Sequence, residues 1–368
     1  MGKIYSKYLP LFFCGLSLII SVSSCKKDKK STPTPTPPTS LATLGLFELI
    51  IDSSRVTYIP ITKVGTQTVN YDGVFDTGST GMTIDANGII PASMITSSGI
   101  QFTGDSVVVN GITITNKKST MSYGNAQGQV DEYGNLAYTT VTIGEPGNDI
   151  TTTRIPIFLY YQVKNITTGQ IYGPHQNDVF GVGPGVSYTN SAIGSPLSYF
   201  KLSNGQTSGF KLSMLNSSMF SRQGTFVPGL LTIGLVPDDL SSSSGFVMHP
   251  LTYYSVGGYS SEIKATINYN GSDINAIIVF DTGNPTYYII ADGNAVKADT
   301  ILPPNTTVKV TTSGGFSYSY TTTGAYNLTQ VVQPSFTNDP RTIFSIDFFI
   351  SNEFLLDYTN HRIGLKNN

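Results

Sequence analysis

From Leu41 onward the chain alternates apolar and polar residues in short runs broken by Gly and Asn. That two-residue period belongs to half-buried strands, not to helices, whose apolar positions recur every three to four residues. Val107-Val108-Val109 and Ile112-Thr113-Ile114 flank Asn110-Gly111, a pair suited to the left-handed backbone of a tight hairpin turn. Residues 265–269 and 274–280 flank a second such pair, Asn270-Gly271. Long amphipathic helical runs are absent; residues 195–202 could form one short helix, and residues 210–215 suit either state. The pattern predicts an all-β protein.

Composition agrees with the pattern. Charged residues make up only 12%, whereas 22 Tyr and 19 Phe accompany many Thr, Ser, Asn and Gly, a mixture of strand and turn formers. At 368 residues the chain can bury two cores of ordinary size. Its formal charge is −2, and losing a leader that holds Lys3 and Lys7 but no acid takes it to −4. Neither value suits a nucleic-acid partner.

The first residues read as a targeting segment, set apart from the fold. Lys3 and Lys7 precede an apolar stretch at residues 9–20, shorter than the roughly 20 residues of a membrane span. Val22-Ser23-Ser24-Cys25 then resembles the lipobox of bacterial lipoproteins, in which cleavage precedes a lipid-modified cysteine. The expectation is a signal peptide over residues 1–24, lipid attachment (palmitate included) at Cys25, and membrane anchoring at a bacterial cell envelope. An ordinary secretory leader is the alternative. Residues 26–40, KKDKKSTPTPTPPTS, complete a tether over 25–40, where proline favours extended polyproline II at about 3 Å per residue. After cleavage only Cys25 remains of the two cysteines, so no internal disulfide can form.

An internal repeat carries the chemistry. Val74-Phe75-Asp76-Thr77-Gly78 returns unchanged as Val279-Phe280-Asp281-Thr282-Gly283, 205 residues later. At the same displacement Ile84 matches Ile289, Ala86 matches Ala291 and Gly88 matches Gly293. In each copy a β-branched and aromatic run leads into an aspartate, and Thr-Gly turns the chain sharply. A carboxylate ending an apolar strand is costly without a partner. A single copy reads as a turn cap; two copies in duplicated halves can bring two carboxylates face to face.

These residues resemble the pepsin family of aspartic peptidases, whose signature is a hydrophobic pair followed by Asp-Thr-Gly-Ser/Thr, once per lobe. Phe75-Asp76-Thr77-Gly78-Ser79-Thr80 fits it fully. Tyr123-Gly124-Asn125-Ala126-Gln127-Gly128 resembles the family's flap hairpin. Asp178-Val179-Phe180-Gly181-Val182-Gly183 resembles the element packed behind the first aspartate loop, and Gly229-Leu230-Leu231-Thr232-Ile233-Gly234 the strand closing the first lobe. Residues 354–358 and 362–365 resemble the C-terminal strands. The resemblance spans nearly all of 41–368. It implies a bilobal pepsin-like fold with an active-site cleft between an N-terminal lobe at 41–240, bearing the first Asp-Thr-Gly and the flap, and a C-terminal lobe at 241–368.

The resemblance also implies a function, aspartic-type endopeptidase. Asp76 and Asp281 would share one proton, about 3 Å apart, and hold a water that attacks the scissile carbonyl. Thr77 and Thr282 would interlock beneath them, with Gly78, Ser79, Gly283 and Asn284 as supports. Tyr123, Gly124 and Asn125 would cover an extended polypeptide substrate. No cofactor or metal is implied, and a monomer is expected.

The sequence departs from the family at several points. Asn284 stands where Ser or Thr follows the second Asp-Thr-Gly, and Ser345 where the second lobe usually has Gly, so its side chain could press on the Asp281 loop. Thr83 occupies a position commonly held by Trp, and no Trp occurs anywhere. Asn284 and Ser345 favour the alternative reading, a catalytically weak or inactive pepsin-like lipoprotein that binds partners at the envelope. His175, His249 and His361 are scattered, without carboxylate partners at ligand spacing, and read as surface residues rather than metal ligands.

Overall fold

The structure, a computed structural model, describes residues 37–124, 128–285 and 287–367. The chain divides into one unit up to Pro37 and another from Pro38 onward. The leader at 1–24, Cys25 and most of the tether at 25–40 therefore lie outside the described residues. Among those described, no helix is long and apolar enough to cross a membrane.

Both Asn-Gly pairs make the hairpins their chemistry suggests. Asn110 and Gly111 take φ of 51° and 74°, joining strands Ser106–Val109 and Ile112–Tyr123 in a register that places Val109 opposite Ile112. Asn270 and Gly271, at 51° and 79°, join Ile263–Tyr269 to Ser272–Phe280. These are the two left-handed turn positions that a two-residue hairpin requires. The expected helix at 195–202 reduces to a single turn of 3-10 helix, Pro196–Ser198, which buries Pro196 and Leu197. Residues 210–215 fall in and just beyond strand Thr207–Leu212, where Phe210 and Leu212 point inward two residues apart.

A 16-stranded sheet and an 8-stranded sheet contain most of the strands. In the larger sheet, Gln67–Asp76 lies between Ser54–Val64 and Val179–Val182. In the smaller, Ser272–Phe280 lies between Ile263–Tyr269 and Arg341–Phe344. The sequence repeat is also a repeat of topology. Gln67–Asp76 runs parallel to Val179–Val182, pairing Phe75 with Phe180 and Asp76 with Gly181. Ser272–Phe280 runs parallel to Arg341–Phe344, pairing Phe280 with Phe344. In each half the strand leaving the aspartate loop, Thr80–Asp85 or Tyr288–Ala291, returns antiparallel to that same partner.

Packing explains why each aspartate strand ends where it does. Phe75, Phe180, Phe280 and Phe344 are almost fully buried, and each contributes about 1.5–3 kcal/mol of hydrophobic stabilisation. Phe75 meets Phe210 edge-on, and Phe280 packs against both Phe344 and Phe348. The apolar run therefore fixes each strand from below and delivers an aspartate to where the halves meet, Asp76 as the last residue of its strand and Asp281 as the residue just after its own. The final strands, Asn352–Asp357 and Arg362–Asn367, join the larger sheet beside Thr207–Leu212.

One buried acid sets a pH limit on stability. Glu48, on strand Ala42–Ile51, is fully buried, and burial pushes its carboxyl up to about 7 despite the Asn216 N–H and the Arg55 charge that oppose the shift. A carboxyl raised on folding stabilises the native state below its ordinary value of 4.5, and that contribution is lost as pH rises through about 7. Glu48→Gln removes this dependence. The variant is expected to match the parent near pH 4.5 and to exceed it above pH 8 by roughly 1–3 kcal/mol, measured as urea-unfolding midpoints at the two pH values.

Candidate active site

The two aspartate loops meet back to back and are locked by their threonines. The Thr77 hydroxyl donates to the Phe280 carbonyl at 2.8 Å and accepts the Thr282 N–H at 3.0 Å. Reciprocally, the Thr282 hydroxyl donates to the Phe75 carbonyl at 2.6 Å and accepts the Thr77 N–H at 3.0 Å. Both threonines are buried, at 2% and 0% exposure, so the four bonds form away from competing water. Valine at either position could fill the same space but would lose the two bonds that hydroxyl makes.

Above this lock the carboxyls face each other across the glycines. A methyl group built on Gly78 would lie 2.3 Å from Cγ of Asp281, and one on Gly283 would lie 2.6 Å from Cγ of Asp76. Only a residue without Cβ lets the opposite carboxyl come this close. Asp76 accepts the N–H groups of Gly78 at 2.7 Å and Ser79 at 3.1 Å, and the Ser79 hydroxyl at 2.5 Å. Asp281 accepts the Gly283 N–H at 2.8 Å. Burial, then the charge of Asp76, then a hydrogen bond with Asp76 hold Asp281 well above the usual carboxylate range. Two adjacent charges cannot both be stable here, so the two carboxyls titrate as one unit.

The second half departs from the first where the sequence does. The Asn284 amide donates to the Tyr287 carbonyl at 2.9 Å and so is turned away from Asp281, unlike Ser79 in the first loop. Gly181 admits no side chain, since a Cβ there would meet the Ser79 hydroxyl at 2.7 Å and the Gly81 carbonyl at 2.8 Å. Its counterpart Ser345 is accommodated, but its hydroxyl is buried without a hydrogen-bond partner. The loop still closes around it: Asp281 N–H donates to the Phe344 carbonyl and Ile346 N–H to the Asn284 carbonyl.

Tyr123 ends strand Ile112–Tyr123, and its hydroxyl is buried without a partner. Burial first, then the neighbouring Glu132 carboxyl, raise that phenol well above its ordinary value. Gly124 follows with φ of 85°, turning the chain, while Asn125, Ala126 and Gln127 lie outside the described residues. Thr83 points its hydroxyl at the carboxylate of Glu132, 3.3 Å away.

Several residues at the site were not read from the sequence. A cleft of about 260 Å³ beside the aspartates is lined by Gly78 and Ser79 together with Tyr188, Tyr259, Glu262 and Arg341. The tyrosines come from segments far apart in sequence, and no spacing signals their convergence. The histidines also need correction. His249 is buried, with Nε2 2.7 Å from the Thr312 hydroxyl and Nδ1 3.3 Å from the Ile363 carbonyl, and burial lowers its pKa. His175 does have a carboxylate partner: Nδ1 is 2.7 Å from Asp178, and the ring stacks on Tyr71 at 3.5 Å. His361 stacks on Tyr259 at 3.6 Å. The Asp178 loop, recognised as a sequence motif, holds His175 three residues before its carboxylate partner.

No protein-family model matches the chain, and no curated protein sequence matches it. Among solved structures it is similar to the aspartic proteinase from Irpex lacteus, at 18% identity and a TM-score of 0.56. The match covers 89% of this chain and 97% of that one. With the duplicated aspartate strands, the two sheets and this likeness together, the chain has the all-β, bilobal pepsin-like fold.

Proposed function

We propose that the chain is an aspartic-type endopeptidase that hydrolyses peptide bonds with a water activated between Asp76 and Asp281. The observation that carries this reading is the apposition of two carboxyls on interlocked loops, with Asp281 raised by its neighbour and its burial. In the proposed reaction the ionised carboxyl of the pair takes a proton from the water as its oxygen bonds to the scissile carbonyl carbon. The protonated partner gives its proton to the carbonyl oxygen, leaving a neutral tetrahedral diol. One carboxyl then protonates the amide nitrogen while the other takes back a hydroxyl proton, the C–N bond breaks, and acid and amine leave. The pair acts as one titrating unit.

Thr77 and Thr282 hold the two loops in register, Ser79 orients Asp76, and Tyr123 and Gly124 border the substrate. The cleft beside Ser79 is where an extended polypeptide would place side chains next to the bond being cut. The same reading includes lobes at 41–240 and 241–368, a monomer, and a lipid anchor at Cys25 that holds the enzyme at a bacterial envelope by its Thr/Pro tether.

The test is hydrolysis of an unfolded protein from pH 3 to 8, with and without pepstatin, with products mapped by mass spectrometry. Pepstatin-sensitive internal cleavage is the expected result, and no inhibitable cleavage at any pH would overturn it. The unpartnered Ser345 hydroxyl and the Asn284 amide turned from Asp281 favour a second reading, a binding protein of weak activity. Tight pepstatin or peptide binding without turnover would select that one.

A further inference from the structure

One buried acid on the Tyr123 hairpin takes no part in the proposed chemistry. Glu132 lies in strand Val130–Thr139 opposite Met121 of strand Ile112–Tyr123. Tyr123 sits two residues beyond Met121, so its side chain shares a sheet face with that of Glu132. Glu132 is 0% exposed. Its Oε1 accepts the Asn177 amide at 2.7 Å and the Thr83 hydroxyl at 3.3 Å. Thr83 belongs to the strand that leaves the Asp76 loop, and Asn177 immediately precedes Asp178 and the strand that flanks Asp76. A single carboxyl thereby ties the hairpin to two elements that position Asp76.

The surroundings suit only an uncharged carboxyl. Oε2 of Glu132 and the hydroxyl of Tyr123 are both buried without hydrogen-bond partners. The other groups facing the site are the phenols of Tyr123 and Tyr160 and the carboxylates of Asp178 and Asp85. The imidazole of His175, the basic group nearby, is already bonded to Asp178. Burial therefore pushes Glu132 well above its ordinary value, further than its two donors can bring it down, and the carboxylates add to the shift.

We propose that Glu132 is a positioning residue that seats the Tyr123 hairpin against the body of the protein while protonated and unseats it on ionisation, so that substrate binding weakens as pH rises. This rests on the endopeptidase reading for its substrate, though not for its structural part. The sign follows from linkage. Seating raises the pKa of the carboxyl, so seating is fully favoured below the ordinary value of 4.5. Above that value it weakens by up to about tenfold per pH unit until the seated group itself ionises.

The experiment compares the full-length parent with Glu132→Gln and Glu132→Ala. Michaelis parameters for a peptide substrate are measured from pH 3 to 8, and hydrogen exchange of residues 112–123 and 130–139 over the same range. Glutamine keeps the acceptor for Asn177 and Thr83 but cannot ionise. The parent is expected to show KM rising above about pH 5, whereas Glu132→Gln keeps KM flat and retains the shape of the parent's kcat profile. Glu132→Ala raises KM about tenfold at every pH. Exchange in the two strands should be faster in the parent than in Glu132→Gln at pH 7, and equal at pH 4. A Glu132→Gln variant whose KM and exchange track the parent at all pH values would overturn the proposal. Absence of turnover in the parent would instead count against the endopeptidase reading, and the exchange comparison would then decide the role of Glu132.

Discussion

On the endopeptidase reading, Asp281→Asn is expected to lower peptide hydrolysis by about 10⁴-fold or more while leaving the protein folded. The substitution keeps the size of the side chain and its acceptor for the Gly283 N–H, 2.8 Å away. What it removes is one of the two carboxyls that share a proton, the one that burial and the charge of Asp76 hold well above the usual range. Asparagine also needs no costly ionisation beside Asp76. Thermal unfolding above neutral pH is therefore expected at or above the parent's temperature, as the rate collapses. Asp76→Asn should give the same loss of activity. A double variant no worse than either single one would show that the two carboxyls act as a unit. Activity surviving either substitution would remove the mechanism.

Gly78→Ala and Gly283→Ala are expected to cost at least about 100-fold in kcat, although neither glycine carries a functional group. The added methyl would lie 2.3 Å from Cγ of Asp281 in the first variant and 2.6 Å from Cγ of Asp76 in the second. No atoms sit at such distances, so the carboxyls must part or the loops must separate. The threonine bonds beneath resist separation, since each loop holds the other at both hydroxyl and amide. The displacement therefore falls on the carboxyls, where an ångström matters most for catalysis. Overpacking of this kind costs about 1–3 kcal/mol of stability, which urea unfolding of both variants would measure. Parental kcat in either variant would show that the aspartates do not need their present separation.

Much of this arrangement was legible in the chain because local rules wrote it. The Asn-Gly turns fixed two hairpins, and the Val-Phe-Asp-Thr-Gly repeat named the strands and the aspartates that meet. The repeat fades beyond Gly88 and Gly293 because the strand completing each half arrives at different distances. Phe180 follows Phe75 by 105 residues, but Phe344 follows Phe280 by only 64. Topology was duplicated there without spacing. Glu132 was invisible for another reason: an acid in an alternating segment reads as solvent-facing, and only the arrival of Thr83 and Asn177 from elsewhere makes it interior. His249 was misread in the same way, since its partners Thr312 and Ile363 lie on other strands. The effect of Ser345 on the site depended on whether its backbone position left room for a side chain, which composition does not encode.

The last strands have a consequence for assembly. Thr207–Leu212 pairs on one side with Thr225–Leu235, a near neighbour in sequence, but on the other with Asn352–Asp357, nearly 150 residues later. During synthesis the first half therefore carries an open hydrogen-bonding edge until the end of the chain emerges. Phe210, fully interior in the finished molecule and in ring contact with Phe354 and Tyr358, loses those two aromatic neighbours throughout that interval. Pairings of such range form slowly and leave strand edges open to intermolecular contact. Capture of the C-terminal hairpin is therefore expected to limit refolding, and dilution or a chaperone that shields this edge should raise its yield.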